Sequence, residues 1–227
     1  MYKGEDLLIA MGAPGSRWSS SIRCIQSCVD FNCSDERPDW EYSNGNKGWH
    51  RGAYWGPYHA QGDNFRHMAV LNRDQVIHEF RKPFADWNTG IKVIKSHWFS
   101  YHIPQLREWF PDARFIAFYM PDDFCLDWWH QIGGYDIDYP HYDWYRLDDR
   151  NIKDQITIEN AEILKYFQPE QKNLAQILEE LGLSNRLHSD DFLIARDKKF
   201  ADLSETLHKP ISKIIQDTIY RTPVGIL

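Results

Sequence analysis

The sequence is short of positive charge: 26 Lys and Arg stand against 33 Asp and Glu, a formal net charge of −7, and no uniform Lys/Arg patch occurs. A nucleic-acid binder needs a basic face to neutralise phosphates, so the balance argues against that class. No uninterrupted apolar run reaches the length of about 18 residues that reads as a membrane span. MYKGEDLLIA at the start has no basic leader joined to a long apolar core. The expectation is therefore a single cytoplasmic domain over 1–227, with neither membrane nor nucleic acid as partner. The four cysteines, Cys24, Cys28, Cys33 and Cys125, lack the paired C-x-x-C spacing of a zinc site and read as reduced thiols. What the chain has in abundance is aromatics: ten Trp, twelve Tyr and twelve Phe, more than a core of this size needs. Some are therefore expected to face a ligand.

Along the chain, LLIA reads as the heart of a short buried strand over 6–11, followed by a turn marked by Gly12, Pro14 and Gly15. A helix is expected to begin between Ser16 and Ser19, capped by serine, with Ile22, Ile25 and Val29 at helical spacing. The pattern then predicts a helix from 73 through Val76, Ile77 and Phe80 to Pro83. A strand follows at 91–95, a helix at 101–110 and a strand at 113–119. Pro121 next opens a helix carrying Trp128 and Trp129. Alternating strands and helices give an α/β domain with a central parallel sheet covered on both faces. Two more helices are expected, one with Ile156, Ile163 and Phe167 on a shared face, one with Leu174, Ile177, Leu178 and Leu181 in a stripe closed by Gly182. The remainder, 184–227, reads as helical and polar, broken at Pro210 and Pro223. The stretches 39–67 and 133–149 are long loops, rich in aromatics and carboxylates, with Trp49, Trp55, Tyr135 and Trp144 among them. Such a mixture suits stacking on sugar faces, and packing of the loops onto the domain is an equal reading.

MGAPGSRWSS, residues 11–20, has the form of a phosphate loop, in which backbone N–H groups converge at a helix N-terminus. Gly12 and Gly15 permit the turn, Ser16, Ser19 and Ser20 offer hydroxyls, and Arg17 is the nearest cation. The Walker pattern with its lysine is not met, and an ordinary strand-to-helix turn is an equal reading of these residues alone. Lys95, Ser96 and His97 lie just past the carboxyl end of the second predicted strand, where open α/β sheets bind ligands. A histidine there can take a proton near neutral pH, and a lysine can stabilise a developing anion. The nine other histidines read as packed or solvated. Asp122, Asp123 and Asp127 read as compensation of a helix dipole rather than as metal ligands.

The order APGSRWS after the first strand, KSH after the second and PDD with paired tryptophans after the third resembles the sulfotransferase family. The resemblance spans roughly 5–132, and its most specific element is Lys95-Ser96-His97, similar to the family's K-T-H. It implies a three-layer P-loop fold (nucleoside triphosphate hydrolase-like) with a helical C-terminal part. It also implies transfer of a sulfuryl group from 3′-phosphoadenosine 5′-phosphosulfate (PAPS) to an acceptor hydroxyl on a carbohydrate or small molecule, with no metal. By the same resemblance His97 is the general base and Lys95 contacts the sulfuryl or bridging oxygens. Gly12, Ala13, Pro14, Gly15, Ser16, Arg17, Trp18, Ser19 and Ser20 hold the donor, with Trp18 near the adenine. Tyr119 and Asp127 stand where the family reads the 3′-phosphate with Arg and Ser. The alternatives are a P-loop kinase-like phosphotransferase using ATP and magnesium, and a non-catalytic binding module on the same scaffold.

Overall fold

The computed structural model describes residues 6–26, 28, 30–36, 52–55, 70–131, 149–183 and 223–226. The aromatic loops expected at 39–67 and 133–149 fall mostly outside the described residues, as do Val29, Trp49, Tyr135, Trp144 and the stretch 184–222.

Three parallel strands form the centre of the sheet: β1 (Leu7–Gly12), β2 (Lys92–Lys95) and β3 (Arg114–Phe118). The strand β1 lies between the other two, with Ala10 opposite Lys95 and Gly12 opposite Phe118. All six residues of β1 are buried, which explains its continuous apolar run: a parallel strand covered on both faces has no polar side to present. Side-chain alternation divides the core in two. Leu8 and Ala10, with Val93, Ile116 and Phe118, pack beneath α1 (Trp18–Ile25). On the same side lies a helix at Leu174–Glu180, here α6, through Ile177, Leu178 and Leu181. Leu7, Ile9 and Met11, with Ile94, Phe115 and Ala117, face the opposite layer. That layer holds α2 (Arg73–Arg81), a 3-10 turn (His97–His102), α3 (Ile103–Trp109), α4 (Asp122–Gln131) and α5 (Asp149–Leu164). The arrangement is helix, sheet, helix, as the alternation predicts.

The local signals explain most boundaries. Asn72 and Asn173 each cap a helix in a reciprocal box with a glutamine three residues on, at Gln75 and Gln176. Gly182, at φ 66°, ends α6. Two expectations are corrected. The first concerns the polar C-terminal stretch, because Pro223–Ile226 is a strand, β5, antiparallel to β3 and paired on its other side with β4 (Glu170–Gln171). The free edge of β3 needs partners for its backbone groups, and a proline is tolerated as the first residue of a strand. The second concerns the start of α1. No serine caps it; Arg17 holds that position in the left-handed conformation (φ 62°, ψ 12°) without a side-chain cap. Among the described residues no helix is long and apolar enough to cross a membrane.

The turn after β1 is fixed by close approach. A Cβ on Gly12 would lie 2.7 Å from both Ser16 Oγ and Trp18 Cβ, so the loop folds back over the strand end. Gly15 has φ 76°, and a Cβ there would overlap the backbone carbonyl of Cys125 in α4. Strain at positive φ and the backbone overlap together give Gly15→Ala an expected destabilisation of about 2–4 kcal/mol. Urea unfolding monitored by tryptophan fluorescence checks this, and an unchanged midpoint contradicts it.

Candidate active site

The carboxyl ends of β1, β2 and β3 share one edge of the sheet, and the residues singled out in the sequence are carried there by three different devices. The loop after β1 is closed by the Ser16 amide donating to the Ala13 carbonyl at 3.0 Å. Its tip rests on α4 through Gly15, and the Arg17 guanidinium stacks 3.9 Å above the Trp128 ring. Ser16 is wholly buried, and its hydroxyl has no hydrogen-bond partner among the described residues. Ser20 Oγ donates to the Arg17 carbonyl at 2.9 Å. The first turn of α1 carries no acidic residue and no side-chain cap, so its positive dipole end has no carboxylate within its own first turn.

At the end of β2, Lys95 and His97 diverge. Alternation places Lys95 on the face of Val93, under α1. Its Nζ is fully buried there and donates to Gln26 Oε1 at 2.9 Å, within the field of Asp35. Ser96 then turns the chain: its amide donates to the Ala10 carbonyl at 3.2 Å, and its hydroxyl accepts from the Trp98 amide at 3.1 Å. His97 opens the 3-10 turn and belongs to the other layer, where its Nδ1 lies 2.7 Å from Glu159 Oε1 of α5. Glu159 also receives Gln155 Nε2 at 2.5 Å, and Gln155 reaches Tyr101 Oη at 2.7 Å. Burial pushes the Glu159 carboxyl above the usual carboxylate range, while the His97 imidazole and the Gln155 amide pull it back.

The loop and the histidine meet through a strap at 52–55. Asp35 Oδ2 accepts from the Ala53 amide at 2.6 Å, and the Lys95 carbonyl accepts from the Trp55 amide at 3.0 Å. Between these ties, Tyr54 sets its ring 5.7 Å from that of Trp18 and 6.4 Å from that of His97, nearly parallel to the imidazole. Trp98 covers His97 from another side, with ring centroids 4.4 Å apart. His97 is consequently only 3% exposed.

Gly12, Ala13, Pro14, Gly15, Ser16, Arg17, Trp18, Ser19 and Ser20 thus form one continuous strand-turn-helix junction, linked to His97 through Tyr54. The Lys95 ammonium is brought instead to Gln26 and Asp35, beneath α1. The aspartates at the start of α4 bind α5: Asp122 accepts from Asn160 Nδ2 at 2.7 Å and Thr157 Oγ1 at 2.6 Å, and Asp123 pairs with Lys153 at 2.6 Å. Glu159, Gln155, Tyr54 and Asp35 are the residues that sequence reasoning missed. For Glu159 a signal existed, because it lies three residues after Ile156 and four before Ile163, a carboxylate inside an apolar stripe. An imidazole with one nitrogen held by a buried carboxylate is an arrangement suited to general acid–base chemistry. No protein-family model and no curated protein matches the chain.

Burial pushes the Asp35 carboxyl from its ordinary value of 3.8 up to about 6, against the pull of Lys95. The native chain therefore holds this proton where the unfolded chain has lost it. The associated stability is present below about pH 4 and is lost as pH rises through about 6, a change of order 3 kcal/mol. Asp35→Asn removes that dependence, so its stability relative to the natural chain rises by up to this amount across the same interval. Urea unfolding at a series of pH values checks it, and a pH-independent difference contradicts it.

Proposed function

We propose that this protein is a sulfotransferase that moves a sulfuryl group from PAPS to an acceptor hydroxyl, on a P-loop fold. The observation that carries the reading is His97, set at the carboxyl end of β2, bonded to Glu159 at 2.7 Å and joined through Tyr54 to the glycine turn that follows β1. The resemblance of APGSRWS and KSH to the family's motifs supports it from the sequence side. In the proposed reaction the acceptor oxygen attacks sulfur in line, the bond from sulfur to the bridging phosphate oxygen breaks, and the hydroxyl proton passes to the His97 imidazole. The products are the sulfated acceptor and adenosine 3′,5′-bisphosphate. The Ala13 and Gly15 amides and the dipole of α1 would hold the phosphosulfate, the Ser16 hydroxyl adding a donor, with Arg17 at the rim. Lys95 would act on that charge from beneath α1, as a buried positive centre partly offset by Asp35. A carbohydrate or small molecule is the proposed acceptor class.

A second reading has one observation behind it. His97 and Lys95 are 3% and 0% exposed, each with an internal partner, which suits a scaffold that binds without turnover. Calorimetric titration tests the donor, and a transfer assay separates the two readings: PAPS is expected to bind without added metal, ATP with magnesium is expected to bind far more weakly, and a scaffold that only binds gives no sulfated product. His97→Ala is expected to lower transfer to a panel of hydroxyl acceptors by about a hundredfold or more, with PAPS affinity within a few-fold of the natural chain. Absence of heat with PAPS contradicts the proposal, and full turnover by His97→Ala contradicts the role of the base.

A further inference from the structure

We infer that Glu159 is a positioning residue: it holds His97 in the tautomer that carries its proton on Nδ1, leaving Nε2 as the atom that accepts the substrate proton. The catalytic part of this inference rests on the sulfotransferase reading, whereas the tautomer does not. A neutral imidazole has one N–H and one bare nitrogen, and the partner of one decides the state of the other. Here the partner of Nδ1 is a wholly buried carboxylate oxygen at 2.7 Å. That oxygen also receives the Gln155 amide, so two donors converge on Oε1, and an oxygen so placed acts as acceptor rather than as a hydroxyl.

The rest of the neighbourhood holds this geometry in place. Gln155 is four residues before Glu159 on α5, and it is anchored in turn on Tyr101, four residues after His97. The backbone of His97 is fixed by Ser100 Oγ, which donates to its carbonyl at 2.8 Å. Tyr54 and Trp98 flank the ring. When the imidazole gains the acceptor's proton, its Nδ1–H still donates to the Glu159 carboxyl oxygen in a water-poor setting, so Glu159 also stabilises the protonated product of that step.

The test begins with the natural chain. In 15N-labelled protein, long-range proton–nitrogen correlation NMR is expected to show His97 with Nδ1 protonated and Nε2 bare at neutral pH. Glu159→Leu, which removes the acceptor at similar volume, is expected to move the ring to the Nε2-protonated form. In PAPS-dependent transfer, turnover is expected to fall by about a hundredfold or more in Glu159→Leu and by less in Glu159→Gln, which keeps an acceptor oxygen, with KM for PAPS within a few-fold throughout. A bare Nδ1 in the natural chain overturns the inference even if both variants fail to fold. Full turnover in Glu159→Leu overturns the catalytic part. A protonated Nδ1 together with no transfer from PAPS supports the tautomer while removing the reaction proposed for it.

Discussion

The pairing of His97 with Glu159 is the constraint around which this edge of the molecule is organised. Burying a carboxylate completely carries a desolvation penalty of several kcal/mol. Two donors, His97 Nδ1 at 2.7 Å and Gln155 Nε2, meet Oε1 and offset part of it, while Oε2 is buried with no hydrogen-bond partner among the described residues. The bond is also a long-range tie, reaching from the first residue after the β2 turn to the middle of α5, 62 positions away in the chain. Through Asn160 the same helix is bound to the Met120 carbonyl and to Asp122. Neighbouring residues of α5 thus hold the ends of β2 and β3 together, and the edge of the sheet owes its shape to them.

On the other face, a second buried ionic group does comparable work for the strap. Lys95, Gln26 and Asp35 lie beneath α1, and Asp35 holds the Ala53 amide while Lys95 holds Trp55 by its carbonyl. Gly52, at φ 69°, leaves no room for a Cβ beside the Asp35 carboxyl. Tyr54 can then reach from the start of α1 to the imidazole. The adjacent residues Lys95 and His97 serve opposite layers because Ser96 turns the chain between them. A pair that looks like one functional unit in sequence is split into an electrostatic anchor and a candidate base.

The layers were legible where the physics is local. Continuous apolar runs marked β1 and β3, Val93-Ile94 between two lysines marked β2, helical spacing marked α2 and α5, and Gly182 sat at the helix end expected of it. The strand β5 was not legible, because what makes Pro223–Ile226 a strand is the edge of β3 far away in sequence. Arg17 misled for a related reason: serines are better caps, yet the fold-back of the loop over Gly12 sets the backbone at the cap position. At the candidate site, position relative to a strand end singled out His97, which the structure sets against Glu159. Its partner was not found because Glu159 sits in a helix whose pattern reads as packing, and Asp35 sits in an irregular segment with no period at all.

The proposed donor site and the imidazole must answer to the same ligand if the account is right. Amide hydrogen exchange of the full chain, followed with and without saturating PAPS, tests that most directly. Slower exchange in the 13–20 junction and in the turn that begins at His97, with α2 unchanged, is the predicted pattern. Unaltered exchange across 13–20, or protection confined to another part of the molecule, would contradict it.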